Sequence, residues 1–218
     1  MKKVAVIHTS LAIHRSVDDA LRMQIPDVEI HNIIDEQMLN DVVKHNGVTP
    51  DIIARMCKYV DIAADMGADA ILNACSSVGE AFDVARKQTV IPTVRIDEPM
   101  AEDAVEKGDR IALYGTVATT LLPSSRLIER IAREKGKQVE VTPYLIDGAF
   151  EVLSVEKNVE KHNQMVLDEI MKTQDRHDVI VLAQASMAVL MPKLKNLTQP
   201  VMYSLVSGAE RVRKVLER

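Results

Sequence analysis

The chain has 218 residues, of which 47% are hydrophobic and only 3% are aromatic. This composition can fill an aliphatic core, and the length allows either one large α/β domain or two domains of roughly one hundred residues each. The net charge of -5 gives no overall positive field for a polyanion, and few aromatic side chains are available to stack on bases. The sequence therefore argues against a nucleic-acid-binding protein and favours a small-molecule ligand.

Cysteine usage and hydropathy narrow the class of protein further. The two cysteines, Cys57 and Cys75, are too few for a disulfide framework, and no spacing of His and Cys indicates a zinc site. The first residues lack the features of a secretory signal, and no apolar run approaches the roughly 18 residues of a membrane-spanning helix. We expect a cytoplasmic protein with no metal, membrane or nucleic-acid partner.

Short β-branched runs alternate with helix-like segments along the chain. In the first half the pattern predicts strands at residues 4–7, 28–34, 69–73 and 91–94, and helices at 15–24, 51–66, 77–88 and 99–107. In the second half it predicts further strands at 138–145, 179–183 and 201–204, and helices at 117–135, 156–174, 185–195 and 208–217. Helical connections between all strands predict parallel sheets with right-handed crossovers.

The second half of the chain repeats the first. Residues 3–9 align with 110–116 at an offset of 107, residues 69–75 align with 178–184 at 109, and residues 92–102 align with 200–210 at 108. Three segments in nearly one register predict two copies of a βαβαβαβα unit. We therefore expect an N-terminal domain at residues 1–107 and a C-terminal domain at 108–218, with the C-terminal helix as a candidate to cross over and pack on the first domain.

Cys75 lies where a predicted buried strand gives way to a helix-like pattern. Ligands of open α/β sheets bind outside the carboxyl ends of the strands, where the first amides of the next helix offer donors to an anion. The same helix dipole would favour a thiolate and lower the pKa of the cysteine from its free value of about 8.5. The alternative is an inert cysteine in the core, which is our interpretation of Cys57.

The duplicated unit and three motifs give the chain a resemblance to the aspartate/glutamate racemase superfamily. The motifs are Asn-Ala-Cys-Ser-Ser at residues 73–77, Gly-Thr-Val-Ala-Thr at 115–119 and Val-Leu-Ala-Gln-Ala-Ser-Met at 181–187. The resemblance covers essentially the whole chain. It implies two similar flavodoxin-like α/β domains with parallel sheets, related by pseudo-twofold symmetry, with the active site in the cleft between them. It also implies a homodimer or larger homo-oligomer that needs no cofactor.

In that family two cysteines, one per domain, flank the α-carbon of the substrate. Cys75 matches the first, whereas Gln184 stands where the second is expected. An amide neither gives nor takes a proton at neutral pH, so the resemblance does not imply symmetrical two-thiol racemisation.

Three functions therefore stay open. The first is a cofactor-independent racemase or isomerase that transfers a proton on a small carboxylate through Cys75. The second is a single-cysteine lyase, such as a decarboxylase, and the third is a non-catalytic carboxylate-binding protein. In an enzyme with one thiol, Gln184 would orient a carboxylate or a carbonyl by hydrogen bonding.

Polar side chains in the strand-to-helix turns are the candidates for substrate binding. Hydroxyls, amides and helix N-termini can stabilise an enediolate-like anion. The candidates are His8, Ser10, Asn73, Ser76, Ser77, Glu98, Thr116, Thr119 and Ser186. Several have a structural alternative, because Asn73 and the two threonines can cap their own turns and Glu98 can belong to a turn at Pro99.

Overall fold

A computed structural model describes all residues from Met1 to Arg218 and contains eight strands in two four-stranded sheets. The first sheet has the order β2-β1-β3-β4 and consists of β1 (Lys3–His8), β2 (Glu29–Ile34), β3 (Ala70–Asn73) and β4 (Thr93–Arg95). The second has the order β6-β5-β7-β8 and consists of β5 (Arg110–Gly115), β6 (Glu140–Leu145), β7 (Val179–Leu182) and β8 (Val201–Tyr203). All pairings are parallel, so the predicted α/β fold with parallel sheets is confirmed.

Ten α-helices connect or follow the strands, and no helix is both long enough and apolar enough to cross a bilayer. Those of the first half are α1 (His14–Gln24), α2 (Glu36–His45), α3 (Pro50–Asp65), α4 (Gly79–Ala85) and α5 (Glu98–Lys107). Those of the second half are α6 (Ala118–Glu134), α7 (Ala149–Ser154), α8 (Val159–Thr173), α9 (Met191–Leu194) and α10 (Ser204–Leu216).

Two predicted helices are shorter in the structure. The helix expected at 77–88 is interrupted, because a 3₁₀ turn at Ser76–Val78 precedes α4 and another at Arg86–Gln88 follows it. The helix expected at 185–195 is a 3₁₀ turn at Ala185–Leu190 followed by the single turn of α9. A proline occupies the start of α9, where its missing N–H is tolerated, whereas a continuous helix through it would lack one hydrogen bond.

Helices cover both faces of the first sheet with their apolar sides, as buried parallel strands require. Along β1, Ala5 and Ile7 point to the face covered by α2, α3 and α4, and Val4 and Val6 point to the face covered by α1 and α10. The carboxyl ends of the strands lie between these two layers of helices. Residues that directly follow a strand keep this alternation where the backbone hydrogen bonds continue the register, as at Ala74 and Ile96.

The boundaries of the two packed units differ from the boundary of the sequence repeat. One compact unit consists of Met1–Pro99 with Leu205–Arg218, and the other of Met100–Ser204. The apolar face of α10 belongs to the core of the first unit, and the apolar face of α5 belongs to the core of the second. The predicted boundary near residue 107 therefore marks the end of the repeated sequence and not the end of the first packed unit.

Gly208 allows α10 to approach the chain directly after β4. A Cβ atom at residue 208 would lie 2.7 Å from Cγ1 of Ile96 and 2.9 Å from its backbone oxygen. We expect Gly208→Ala to lower the free energy of unfolding by about 1–2 kcal/mol, measured by urea denaturation, because the backbone has to shift. Val206→Ala on the same helix, at a side chain that is 41% exposed, is the control. A Gly208→Ala protein as stable as the wild type would contradict this close packing.

Candidate active site

Cys75 lies directly beyond the carboxyl end of β3 and beside the end of β1. In the pairing of these strands Ile7 is opposite Asn73, and the amide of Ala74 donates to the oxygen of Ile7 at 2.9 Å. Continuing this register brings Thr9 next to Cys75, where its hydroxyl is placed to stabilise the thiolate by hydrogen bonding. Sequence reasoning missed Thr9. The signal for it was the parallel pairing of the first and third strands, which sets residue 9 against residue 75.

The surroundings of Cys75 favour the protonated thiol. The side chain is partly exposed, but it packs against the apolar cluster of the first sheet, and this burial raises the pKa of the thiol. The hydroxyl of Thr9 and the amides of Ser77 and Val78 act in the opposite direction as donors to the thiolate, and the negative charge of Asp97 adds to the increase. The predicted lowering of the Cys75 pKa is therefore wrong: the donors are present, but burial outweighs them.

A chain of alternating charges begins in the core and ends at the surface of the same unit. Arg95 donates through Nε and Nη2 to the two carboxylate oxygens of Asp97, at 3.0 and 2.9 Å, and through Nη1 to Asp83. Asp83 also pairs with Arg86, which pairs in turn with Glu98. The structure therefore places Glu98, a predicted substrate-binding residue, in an ion pair with Arg86.

His8 ends β1 as a fully buried, neutral side chain. Its Nε2 lies 2.9 Å from Oδ1 of Asn32, and Nδ2 of Asn32 donates to both carboxylate oxygens of Asp18 at 3.1 Å. Because Asn32 donates through its nitrogen, its oxygen must accept, so Nε2 of His8 carries the proton. Burial lowers the pKa of His8, and its Nδ1 is buried without a partner. The alternation along β1 places this ring on the sheet face opposite that of Cys75.

The other first-unit candidates mainly shape the turns near Cys75. Asn73 donates through Nδ2 to the backbone oxygen of Cys75 at 2.9 Å, and its Oδ1 is buried without a partner. Ser10 caps a 3₁₀ turn by accepting from the amide of Ala12. The side chains of Ser76 and Ser77 are buried at the start of the turn that follows Cys75. Asn73 thus fastens the thiol-bearing turn, which is its predicted structural alternative.

In the second unit, Gln184 follows β7 with its side-chain amide held in one orientation. Its Oε1 accepts from the backbone amide of Thr116 at 2.6 Å and from the Thr116 hydroxyl at 3.0 Å. A backbone N–H can only donate, so the oxygen position is fixed and Nε2 is the group that Gln184 offers to a ligand. Thr116, a predicted substrate-binding residue, therefore holds Gln184 through both its amide and its hydroxyl.

Two further candidates lie in neighbouring turns of the second unit. Thr119 is in the first turn of α6, which has no side-chain cap, and its hydroxyl is buried without a partner. Ser186 is partly exposed in the 3₁₀ turn after Gln184. No group of three or more His, Cys, Asp or Glu side chains in the chain is arranged to hold a metal ion.

Comparisons with known proteins identify the family. The family model for Asp/Glu/hydantoin racemases matches residues 4–212. Among solved structures, an allantoin racemase from Klebsiella pneumoniae is similar with a TM-score of 0.72 and 18% identity, covering 100% of this chain and 88% of that one. An aspartate racemase from Picrophilus torridus is similar with a TM-score of 0.70 and 13% identity, covering 100% of this chain and 95% of that one.

A glutamate racemase from Aquifex pyrophilus is also similar, with a TM-score of 0.68 and 20% identity over 97% of this chain and 83% of that one. No curated protein matches the sequence. At these identities the solved structures show the shared fold, whereas the family model spans nearly all of the sequence. The chain therefore belongs to the Asp/Glu/hydantoin racemase family.

Proposed function

We propose that the protein is a cofactor-independent isomerase of the racemase type, in which Cys75 transfers a proton on a small carboxylate substrate. Membership of the family supports a racemase-type enzyme. The assignment of proton transfer to Cys75 rests on the environment of its thiol. The thiol lies beyond the end of a central strand, and three hydrogen-bond donors surround it. A thiol that served only as a core side chain would have no use for these donors.

The chemistry suits a weakly acidic substrate. The α-proton of a carboxylate is hard to remove, so the base must bind a proton strongly and the resulting anion must be stabilised. A thiol with a raised pKa is a stronger base once it is ionised, and donors from Thr9, Ser77 and Val78 lower the free energy needed to form the thiolate. The two features together give a group that can both release and recover a proton.

Gln184 supplies a hydrogen-bond donor of fixed orientation for the carboxylate or for the enediolate-like anion. We expect Gln184→Glu to raise KM for a carboxylate substrate by about 10–100-fold, because one hydrogen bond to a charged group contributes roughly 1.5–3 kcal/mol. The glutamate can still accept both hydrogen bonds from Thr116, but it presents negative charge to the substrate. Gln184→Met is the neutral control of similar length: it loses the same hydrogen bond without adding charge, so the further rise in Gln184→Glu measures the repulsion between the two carboxylates. An unchanged KM in both variants would exclude Gln184 from substrate binding.

The test of the function is proton exchange in heavy water. The protein is incubated with a panel of small α-amino, α-hydroxy and malonate-type acids, and deuterium at the α-carbon is followed together with optical rotation. Incorporation with loss of optical activity is the expected result. No incorporation with any acid, or incorporation that survives Cys75→Ala, would overturn the proposal.

A single-cysteine lyase is the second candidate, favoured by the amide of Gln184 where a second thiol would complete a symmetrical pair. One proton donor is enough to protonate an enediolate that is left after loss of carbon dioxide. This reaction is recognised in the same assay by release of carbon dioxide and by a product of fixed stereochemistry. If the protein binds carboxylates but catalyses neither proton exchange nor decarboxylation, it is a non-catalytic carboxylate-binding protein.

A further inference from the structure

The ion pair of Arg95 and Asp97 is fully buried, although the stability of the fold does not require an ion pair in this position. Arg95 is 1% exposed and Asp97 is 0% exposed, and both carboxylate oxygens of Asp97 accept from the guanidinium. Removing two charges from water is unfavourable, so such a pair adds little or nothing to stability compared with apolar side chains of similar volume. We therefore ask whether the ion pair at the end of β4 acts on the neighbouring thiol of Cys75.

Strand register brings this pair to the same face of the sheet as Cys75. Arg95 is opposite Asn73 in the pairing of β3 with β4, and the amide of Ile96 donates to the oxygen of Asn73 at 3.0 Å. Cys75 and Asp97 each follow these partners by two residues, so alternation directs both side chains to one face beyond the strand ends. Thr9 reaches the thiol on the same face from β1.

The turn after Cys75 is built to admit the guanidinium. Gly79 begins α4, and a Cβ atom there would lie 2.5 Å from Cζ of Arg95 and 3.0 Å from its Nε. Any side chain at residue 79 would push Arg95 away from Asp97. The short sequence from Cys75 to Gly79 therefore positions both the thiol and the charge pair.

We propose that Arg95 and Asp97 are positioning residues for Cys75. Arg95 holds the Asp97 carboxylate on the sheet face of the thiol, and this fixed negative charge opposes formation of the thiolate. The proposal rests on the proton-transfer role of Cys75 and specifies one contribution to its strength as a base, in addition to burial. Of the charged groups around the pair, Asp83 and Arg86 come from α4 and its end, and Glu98 from the start of α5. Asp97 is the charged group that acts on the thiol, with a smaller effect than burial or the donors from Thr9, Ser77 and Val78.

The test compares two carboxylates that bind the same guanidinium. In a Cys57→Ala background, which leaves Cys75 as the only thiol, the pH dependence of alkylation by iodoacetamide is measured for Asp97→Asn and Asp83→Asn. We expect Asp97→Asn to lower the pH midpoint by about one unit or more, because a nearby like charge has been removed. Asp83→Asn, which also takes one carboxylate from Arg95, should shift the midpoint by much less.

A purely structural role would loosen the site similarly in both variants and would shift the two midpoints by equal amounts, which would overturn the proposal. If Asp97→Asn does not fold, the double variant Arg95→Leu/Asp97→Leu decides, because it removes the same negative charge without leaving an unpaired guanidinium: a midpoint that is not below that of the parent protein would overturn the proposal. The titration needs no substrate. A shifted midpoint without exchange in heavy water would therefore reject the enzymatic function while leaving the role of Asp97 in place.

Discussion

Replacing Cys75 with serine is expected to reduce the rate of α-proton exchange by about 10²–10⁴-fold, the usual contribution of a positioned acid/base group. Serine keeps the size of the side chain and can still accept from Thr9 and from the amides of Ser77 and Val78. A hydroxyl holds its proton far more strongly than a thiol, so the geometry survives while the chemistry is lost. The measurement is deuterium incorporation with the best substrate from the acid panel.

The pH profile of the wild type adds a second criterion to this experiment. Exchange that begins with proton removal by the thiolate should rise with pH through the pKa of Cys75, which burial places above the usual value for a cysteine. Cys57→Ser is the matched control, because this second thiol is also only partly exposed but lies within α3. A Cys75→Ser protein with full exchange, or a Cys57→Ser protein with equal loss, would show that Cys75 is not the proton-transferring group.

The fold was predictable because it depends on patterns that repeat. Each buried strand is a short apolar run of the kind that parallel sheets require, and the register between residues 69–75 and 178–184 identified Gln184 as the counterpart of Cys75. The two sheets have equivalent strand orders, as two copies of one unit should. Local sequence patterns do not show whether the last helix of each repeat packs in the core of its own unit or in that of the other unit. α5 and α10 have an apolar face in both cases.

The candidate site was predictable only in part, because its energetics depend on contacts between distant residues. Cys75 could be placed at a strand end from the sequence, but the direction of its pKa shift depends on how completely the cluster around it excludes water. In the sequence, Arg95 has the pattern of an ordinary charged residue at the end of a strand. The residues around it do not show that Gly79, earlier in the chain, leaves space for its guanidinium. Thr116 reads as a helix cap, whereas its donors are directed to Gln184.

Arg95→Leu is expected to lower the free energy of unfolding by about 3–5 kcal/mol, the usual effect of removing one partner from a buried ion pair. Asp97 would keep its charge in the core with both oxygens deprived of their donors, whereas Asp83 would still have Arg86. Urea denaturation measures the change. Arg130→Leu is the control, because Arg130 pairs with Glu134 on the exposed face of α6, where the expected loss is about 0–1 kcal/mol.

The double variant Arg95→Leu/Asp97→Leu separates the two possible origins of this loss. If the unpaired carboxylate is responsible, removing it as well should restore much of the stability, because apolar side chains of similar volume replace a buried ion pair at little cost. If the double variant is as unstable as Arg95→Leu, the guanidinium stabilises the fold through its packing against Gly79. Recovery of stability together with a lowered midpoint for alkylation of Cys75 would mean that the charge pair serves the thiol and not the fold.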